Sequence, residues 1–269
     1  MKIHPTAIVE NEALIAEDVE VGPYAVIGRE VQLGAGCVVQ AHAVLTGRVI
    51  FGEKNKIGYG CVIGAPPQDF AFNESVISEV RIGSGNTFRE YVTIHRGTKD
   101  GSATVIGNDN FLMTGCHAGH NVQIGNKTII ANNCLLAGYV EIGDGAVLGG
   151  GTVFHQFLRV GGYTMIRGGT RFGKDIPPYV AADGENLLSG INAVGMRRNG
   201  FSQASRSEVR QLFRLFFRSG LNMAQAQAEA SENTWGAEAT HFLDFIASSK
   251  RGVCKTLIRN GTDESEEAE

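Results

Sequence analysis

The chain has 269 residues, of which 43% are hydrophobic and 19% charged, and a formal net charge of −4. It contains no apolar run long enough to span a bilayer, and a regular pattern starts too early to leave room for a signal peptide. Five cysteines without metal-type spacing favour reduced thiols in a cytoplasmic protein.

From Ile3 to Ile63 every sixth residue is apolar, and the same period returns at Ile82 and continues to Phe172. A six-residue unit is typical of hexapeptide repeats, in which each unit supplies one short strand and one corner. Glycine often follows the apolar residue, which we interpret as allowing the tight bend. Three units close one coil, so residues eighteen apart stack about 4.8 Å above one another. The pattern predicts a mainly β protein built on a parallel β-helix of about eight or nine coils.

Two segments interrupt the repeat, at residues 64–79 and 96–103. Loops inserted into a rigid solenoid project from one face and often serve binding. A tolerated surface insertion is the alternative interpretation of each.

Beyond Pro177 and Pro178 the period becomes helical, with apolar residues spaced from Val209 to Phe217. The segment Ser205 to Glu208 predicts a capping box that opens this helix, and glycine 220 predicts its end. Residues 223–230 predict a second helix, and residues 242–246 belong to a third. We therefore expect a β-helix over 1–180, a helical domain over 181–258 and an acidic disordered tail over 259–269.

The charge is unevenly distributed, because residues 263–269 alone hold five acidic side chains. Residues 196–218 carry six arginines against a single acid, Glu208. Such a patch suits phosphate or an acidic protein partner, and a solvated helix face is the alternative. Nucleic acid is not expected, because no known binding module or interleaved aromatics accompany the patch.

The segment around Ala118 carries two of the seven histidines, His117 and His120. The stacking rule places Gly138 and Gln156 in the same column as His120. An imidazole beside an exposed backbone N–H suits acyl transfer, with the histidine as general base and the N–H as oxyanion donor.

Other chemistries use the same residues. His95, His117, His120 and His155 are the candidate ligands for a zinc ion. The His-x-x-His spacing, however, differs from the His-x4-His spacing of β-helix carbonic anhydrases. We therefore expect no metal. Cys116 is a conceivable nucleophile, although a buried thiol is the simpler interpretation. A non-catalytic binding solenoid would explain the repeats, but not the clustered histidines.

Six motifs in order resemble one family. They are GAPPQD at 64–69, VTIHRGT at 92–98, HAGH at 117–120, FHQF at 154–157, IPPYV at 176–180 and RRNGF at 197–201. Together they resemble the acyl-[acyl-carrier-protein]–UDP-N-acetylglucosamine O-acyltransferases of lipid A synthesis, from about residue 3 to 253.

The resemblance implies a homotrimer of left-handed β-helices with active sites between subunits. It implies no cofactor of its own, since the acyl donor is carried on the phosphopantetheine of acyl carrier protein, and a UDP-sugar as acceptor. His120 matches the general base, Gly138 the oxyanion donor and Gly168 the residue that measures acyl length. The expected substrate-binding residues are Gln68, Asp69, His117, His155, Gln156, Asn192 and Arg198.

Three residues depart from the family pattern: Asn121 replaces an aspartate, Tyr139 a histidine and Ala71 a lysine. All three lie near the expected acceptor. An N-acyltransferase that acts on a 3-amino UDP-sugar therefore remains the alternative to the O-acyltransferase.

Overall fold

A computed structural model describes residues 1–11 and 13–256; the predicted acidic tail at 259–269 lies outside these residues. The strands, in chain order, are β1 Lys2–Ile3, β2 Ile8–Val9, β3 Leu14–Ile15, β4 Glu20–Val21, β5 Val26–Ile27, β6 Val31–Leu33, β7 Val38–Val39, β8 Val44–Leu45, β9 Arg48–Phe51, β10 Lys56–Ile57, β11 Val62–Ala65, β12 Glu79–Ile82, β13 Thr87–Phe88, β14 Thr93–His95, β15 Ala103–Ile106, β16 Phe111–Leu112, β17 His117–Ala118, β18 Gln123–Ile124, β19 Ile129–Ile130, β20 Leu135–Leu136, β21 Glu141–Ile142, β22 Val147–Leu148, β23 Val153–Phe154, β24 Arg159–Val160, β25 Met165–Ile166, β26 Arg171–Phe172, β27 Val180–Ala182, β28 Leu187–Ile191 and β29 Lys255–Thr256. The helices are α1 Ala193–Arg198, α2 Gln203–Arg218, α3 Met223–Ala230 and α4 Ala237–Ala247.

The strands form the predicted left-handed parallel β-helix. Its three walls are a first sheet of 12 strands, a second of nine and a third of eight, and β-helix neighbours are three strands apart in sequence. Stacked apolar residues pair in register, as Leu112 does with Ile130, and from Val21 onward they are buried as predicted, whereas Ile3 in the first coil is 38% exposed. The register survives both insertions, since Ile82 pairs with Phe51 below and Ile106 above. The insertions themselves occupy residues 66–78 and 96–102, between consecutive strands.

The glycines that follow the apolar residues provide space between coils. A Cβ on Gly34 would lie 2.5 Å from the Gly52 carbonyl oxygen, and one on Gly58 would lie 2.7 Å from that of Phe88. Apart from Gly64, with a φ of 91°, these glycines do not have the left-handed backbone of the bend, so that part of the interpretation is wrong. The left-handed backbone of the corners falls on other residues, many of them bulky, such as Tyr24 with a φ of 57°.

A ladder of buried amides and a hydroxyl runs inside the corner between the third and first sheets. The Asn55 side-chain oxygen accepts from the Asn86 backbone N–H at 3.0 Å, and the Asn86 oxygen accepts from that of Asn110 at 2.9 Å. The Asn110 oxygen accepts from both the N–H and the hydroxyl of Thr128 at 2.8 Å. All four residues are buried. Each buried polar group is therefore satisfied by the coil next to it.

Helices α2, α3 and α4 lie at the predicted positions, whereas α1 was not predicted and the predicted capping box is wrong. Helix α2 begins one turn earlier than predicted, and the Ser202 side chain, which accepts from the Ser205 N–H, is its cap. Glu208 instead accepts from the Gly236 N–H at 2.9 Å, immediately before α4. Helix α3 matches the predicted 223–230, and α2 ends two residues before Gly220. None of the helices in the described ranges is long and apolar enough to cross a membrane.

The helices are fastened to the last coils. Strands β27, β28 and β29 extend the first sheet past residue 180, so the proposed boundary falls within a continuous sheet and stays a prediction. Arg159 forms an ion pair with the buried Asp175 at 3.3 Å and donates to the Phe245 carbonyl oxygen at 3.1 Å. Its guanidinium also lies 4.5 Å from the centroid of the Phe245 ring. These contacts hold α4 against the β-helix.

Candidate active site

The corner between the second and third sheets aligns His120, Gly138 and Gln156, which we call the base column. The Tyr139 N–H donates to the His120 carbonyl at 3.0 Å, and the Phe157 N–H donates to that of Gly138 at 3.0 Å. Residues 120, 138 and 156 therefore stack one coil apart, as the eighteen-residue rule predicted.

Gly138 leaves the space that the His120 imidazole occupies. A Cβ at residue 138 would lie 2.4 Å from His120 Cε1 and 2.5 Å from Nε2. The Gly138 N–H has no acceptor within the described chain. A side chain at this position would therefore displace the imidazole, whereas glycine leaves a free donor beside it.

Hydrogen bonds define which nitrogen of His120 carries the proton. Asn121 Oδ1 accepts from the Thr98 backbone N–H at 3.1 Å, and a backbone N–H can only donate. The amide oxygen therefore faces this point, and it lies 3.1 Å from His120 Nδ1. Nδ1 must donate, so in the neutral imidazole the proton sits on Nδ1 and Nε2 has its lone pair towards Gly138. This is the tautomer that a general base requires.

His117 lies on the outer face of the second sheet, in β17, three residues before His120 in the following corner. Its Nδ1 is 2.8 Å from the Thr93 hydroxyl, and its ring centroid is 5.1 Å from that of His95. His95 Nδ1 donates to the Pro66 carbonyl at 2.6 Å, which ties the first insertion to this histidine pair. Burial, followed by the charge of His95, lowers the pKa of His117 from 6.5 to about 4, so His117 is neutral at pH 7.

His155 and Gln156 are exposed at the end of β23, at the same corner as His120 but two coils further along the β-helix. The Arg251 guanidinium donates to the Gln156 carbonyl at 3.0 Å and to the Gly173 carbonyl at 3.2 Å, and lies 3.3 Å from His155 Nδ1. The segment after α4 therefore braces these two residues from outside.

Gln68 and Asp69 lie on the exposed first insertion. Asp69 Oδ1 accepts from the Ala71 N–H at 2.9 Å, and the neighbouring Phe70 is fully exposed. Arg96 fastens the loop by donating to the Val76 carbonyl at 2.6 Å. No hydrogen bond joins Gln68 or Asp69 to His120 in the described part of the chain.

Three other expected site residues lie apart from the base column. The Asn192 side chain caps α1 by accepting from the Gly195 N–H at 3.0 Å and donates to the Tyr163 carbonyl at 2.8 Å. Arg198 ends α1 and is exposed. Gly168 lies at the corner between the first and second sheets, where a Cβ would be 2.9 Å from the Gly150 carbonyl oxygen. Coil packing is thus one reason for glycine at 168.

The alternative chemistries gain no support from the geometry. Within residues 1–11 and 13–256, no group of three or more histidine, cysteine or carboxylate side chains is placed to hold a metal ion. Cys116 is buried inside the β-helix, and its thiol donates to the Ala131 carbonyl at 3.1 Å. It packs as a core residue.

The sequence reasoning missed Thr93 and Arg251 as partners of His117 and His155, and Thr98 as a partner of Asn121. Thr93 pairs with His117 across 24 residues because the second insertion adds six to the usual separation. Counting through the insertion would have found Thr93. Thr98 lies within the insertion and Arg251 follows the helices, so no repeat rule reaches them.

We expect His117 to make stability depend on pH. Its pKa is lower when folded, so the unfolded chain binds the proton first as the pH falls, and stability is lost between pH 6.5 and about 4. The lost stability is at most about 3 kcal/mol. Urea unfolding over this pH range should show a smaller loss of unfolding free energy in His117→Asn than in wild type. The exposed-residue control His4→Asn should keep the wild-type dependence; equal slopes for all three proteins would contradict the assignment.

Comparisons with known proteins find similar acyltransferases over nearly the whole chain. The family model described as Udp N-acetylglucosamine O-acyltransferase, Domain 2, matches residues 175–254, and the bacterial transferase hexapeptide model matches 12–47 and 103–138. The acyl-[acyl-carrier-protein]–UDP-N-acetylglucosamine O-acyltransferase of Syntrophobacter fumaroxidans is 42% identical over 95% of this chain and 100% of its own length. That of Thermodesulfovibrio yellowstonii is 39% identical over 94% of this chain and 99% of its own.

Solved structures give the same result. A UDP-N-acetylglucosamine acyltransferase from Bacteroides fragilis has a TM-score of 0.89 and 41% identity, covering 93% of this chain and 98% of its own. The structure of LpxA from Acinetobacter baumannii has a TM-score of 0.89 and 37% identity, covering 96% and 99%. The chain therefore belongs to the acyl-[acyl-carrier-protein]–UDP-N-acetylglucosamine O-acyltransferase family.

Proposed function

We propose that this protein transfers a 3-hydroxyacyl chain from acyl carrier protein to the 3-hydroxyl of UDP-N-acetylglucosamine, the first step of lipid A synthesis. The observation that carries the proposal is the position of His120, whose Nε2 faces Gly138 and its free N–H while Nδ1 lies 3.1 Å from Asn121 Oδ1. Relatives with this name match over nearly the full chain.

In this reaction His120 Nε2 takes the proton of the sugar hydroxyl as the oxygen attacks the thioester carbonyl. The carbonyl oxygen becomes an oxyanion, which the Gly138 N–H stabilises. Collapse of this intermediate breaks the carbon–sulfur bond, and the proton on Nε2 passes to the leaving thiolate of the phosphopantetheine. The base is then neutral again, so the protein needs no cofactor of its own.

The acceptor is held by the remaining polar residues of this surface. We assign Gln68, Asp69, His155 and Gln156 to the sugar, and Arg198 to the phosphate side. His117 is neutral at pH 7, so it serves as a hydrogen-bonding group and not as a fixed charge. Asn192 supports the nucleotide side by anchoring α1, since both ends of its amide are occupied. The relatives are named O-acyltransferases, so the 3-amino acceptor is not favoured.

A homotrimer would complete this site. Gln68 and Asp69 are displayed outward beside the fully exposed Phe70, an arrangement that suits a neighbouring copy of the chain. The outer face of the second sheet also presents Leu135 and Val153, which are 42% and 43% exposed and stack above His117. This apolar strip runs from His117 over two coils and ends at Arg171, in the coil that carries Gly168. It supports an acyl groove with Gly168 at its far end, where a small residue leaves room for the chain.

Acyl carrier protein would approach the arginine face of α2. Arg210 and Arg214 are one turn apart and at least partly exposed, whereas Arg206 already donates to the Phe201 carbonyl at 2.6 Å. We therefore assign electrostatic steering of the acidic carrier mainly to Arg210 and Arg214. The cytoplasm, where this carrier and reduced thiols coexist, is the proposed location.

We expect His120→Ala to lose transfer by about 10²–10⁴-fold in kcat/KM, because removal of a general base typically costs this much. The thermal midpoint should stay near wild type, since the imidazole is not part of the core. Acyl transfer from purified carrier to UDP-N-acetylglucosamine is the assay, with His4→Ala as the control. Wild-type turnover in His120→Ala would exclude the proposed base.

Gly138→Ala tests the contact between the base and its neighbour. The new methyl would overlap the His120 ring, which can swing away at little cost to the fold, so we expect a loss of about 100-fold with an unchanged thermal midpoint. In the control Gly173→Ala, the nearest atom to the new Cβ lies 3.9 Å away. Equal activity of both variants would show that Gly138 does not need to be small.

Charge reversal tests the docking of the carrier. Arg210→Glu with Arg214→Glu should raise the KM for the acyl carrier about tenfold at 0.1 M salt and much less at 1 M, because the Debye length falls from about 10 Å to 3 Å. The KM for the sugar nucleotide should stay within about twofold. Lys54→Glu with Lys127→Glu, exposed at another corner, is the matched control. Equal effects on both substrates would assign the patch to the nucleotide.

A further inference from the structure

We propose that Thr98 and Tyr139 are positioning residues that hold the proton of His120 on Nδ1, acting through Asn121. The inference rests on the proposed function, because it explains how the base is kept ready. It also gives the second insertion a role, since Thr98 lies on that loop.

The hydrogen bonds around Asn121 form one directed chain. The Thr98 hydroxyl donates to Asn121 Oδ1 at 3.0 Å, which uses its only proton. The Tyr139 hydroxyl lies 3.0 Å from the same Thr98 oxygen, so Tyr139 is the donor there. Hydrogen bonds are therefore donated from Tyr139 to Thr98 and from Thr98 to Asn121. His120 Nδ1 donates to the same amide oxygen of Asn121.

The backbone at Asn121 adopts the left-handed conformation of the corners. Asn121 has a φ of 60° and is 7% exposed, and its short polar side chain suits this region. Its N–H donates to the Thr104 hydroxyl at 2.8 Å, and that hydroxyl donates to the His95 carbonyl at 2.6 Å. The main chain at 121 is thus anchored, and only rotation of the amide remains open.

Rotation of that amide would abolish the base. A flipped Asn121 would present its NH₂ group to His120 Nδ1, which would favour the proton on Nε2 and remove the lone pair that accepts the substrate proton. Thr98 opposes the flip with two donors, its N–H and its hydroxyl. Because the amide carries no net charge, orientation is what it supplies.

Tyr139 adds a second restraint, on the plane of the imidazole. Its ring meets the His120 ring edge to face at 5.3 Å and stacks on Phe157 at 4.8 Å. The departures Asn121 and Tyr139 therefore belong to one arrangement that includes Thr98. Neither is an isolated substitution.

The test compares Thr98→Val, Thr98→Ser and Tyr139→Phe in steady-state acyl transfer. We expect Thr98→Val to lower kcat about tenfold with both KM values within about twofold, and Thr98→Ser to restore kcat to within about twofold of wild type. Tyr139→Phe keeps both ring contacts and should lower kcat about threefold. The double variant should be no slower than Thr98→Val, because both hydroxyls act through one chain. Thr87→Val, on the outer face of the first sheet, is the control.

A second measurement reads the tautomer without substrate. ¹⁵N NMR of histidine-labelled protein at neutral pH should show His120 protonated on Nδ1 in wild type and a mixture in Thr98→Val, with assignment from His120→Ala. Full kcat and an unchanged tautomer in both Thr98→Val and Tyr139→Phe would overturn the inference. A wild-type protein with the expected tautomer but no acyl transfer would instead overturn the proposed function. If Thr98→Val does not fold, Tyr139→Phe alone decides the outcome.

Discussion

The constraint on which this structure depends is the stacking of one coil on the next. Each corner and strand donates backbone hydrogen bonds to the coil beside it, as Gly119 does to Leu136 at 2.8 Å and Gly143 to Val160 at 2.8 Å. Short strands of two residues could not persist alone, but each gains two neighbours in a continuous sheet. Residues eighteen apart are consequently held a few ångströms apart, whatever their chemistry.

The candidate active site is a direct product of that spacing. A large side chain at a corner occupies the space of the corner residue in the adjacent coil, so His120 is possible only because residue 138 has no side chain. The same absence leaves the N–H of Gly138 open. The proposed base and the proposed oxyanion donor therefore depend on one steric requirement, and their separation is set by backbone hydrogen bonds that are distributed over both coils. Side chains with such support are well placed for catalysis, because little reorganisation is needed when charge develops.

The periodic part of the sequence was sufficient to predict the periodic part of the structure. The coils, the buried anchors, the base column and the positions of three helices followed from spacing alone. The cap at Ser202 was missed because Ser205 and Glu208 match the capping-box sequence and Ser202 does not, and only the structure shows that Glu208 accepts from the Gly236 N–H. Thr98 and Arg251 were missed because they sit on segments without a repeat. The glycines that follow the apolar residues of the repeat were noted in the sequence. Their physical reason, the close approach of neighbouring coils, is visible only in the structure.

The asparagine ladder has a consequence for how the chain finds its fold. A solenoid of near-identical units is degenerate, since a coil displaced by one repeat would still bury an isoleucine or a valine where another belongs. Asn55, Asn86 and Asn110 distinguish three coils from the others, because each places a polar side chain at the same inner corner, where its oxygen accepts from the backbone N–H of the next coil. Any of these amide groups left without a backbone partner in a displaced coil would cost about 1–3 kcal/mol. The ladder thus gives a repetitive sequence a polar mark at one corner, which disfavours every placement that leaves these amides unpaired.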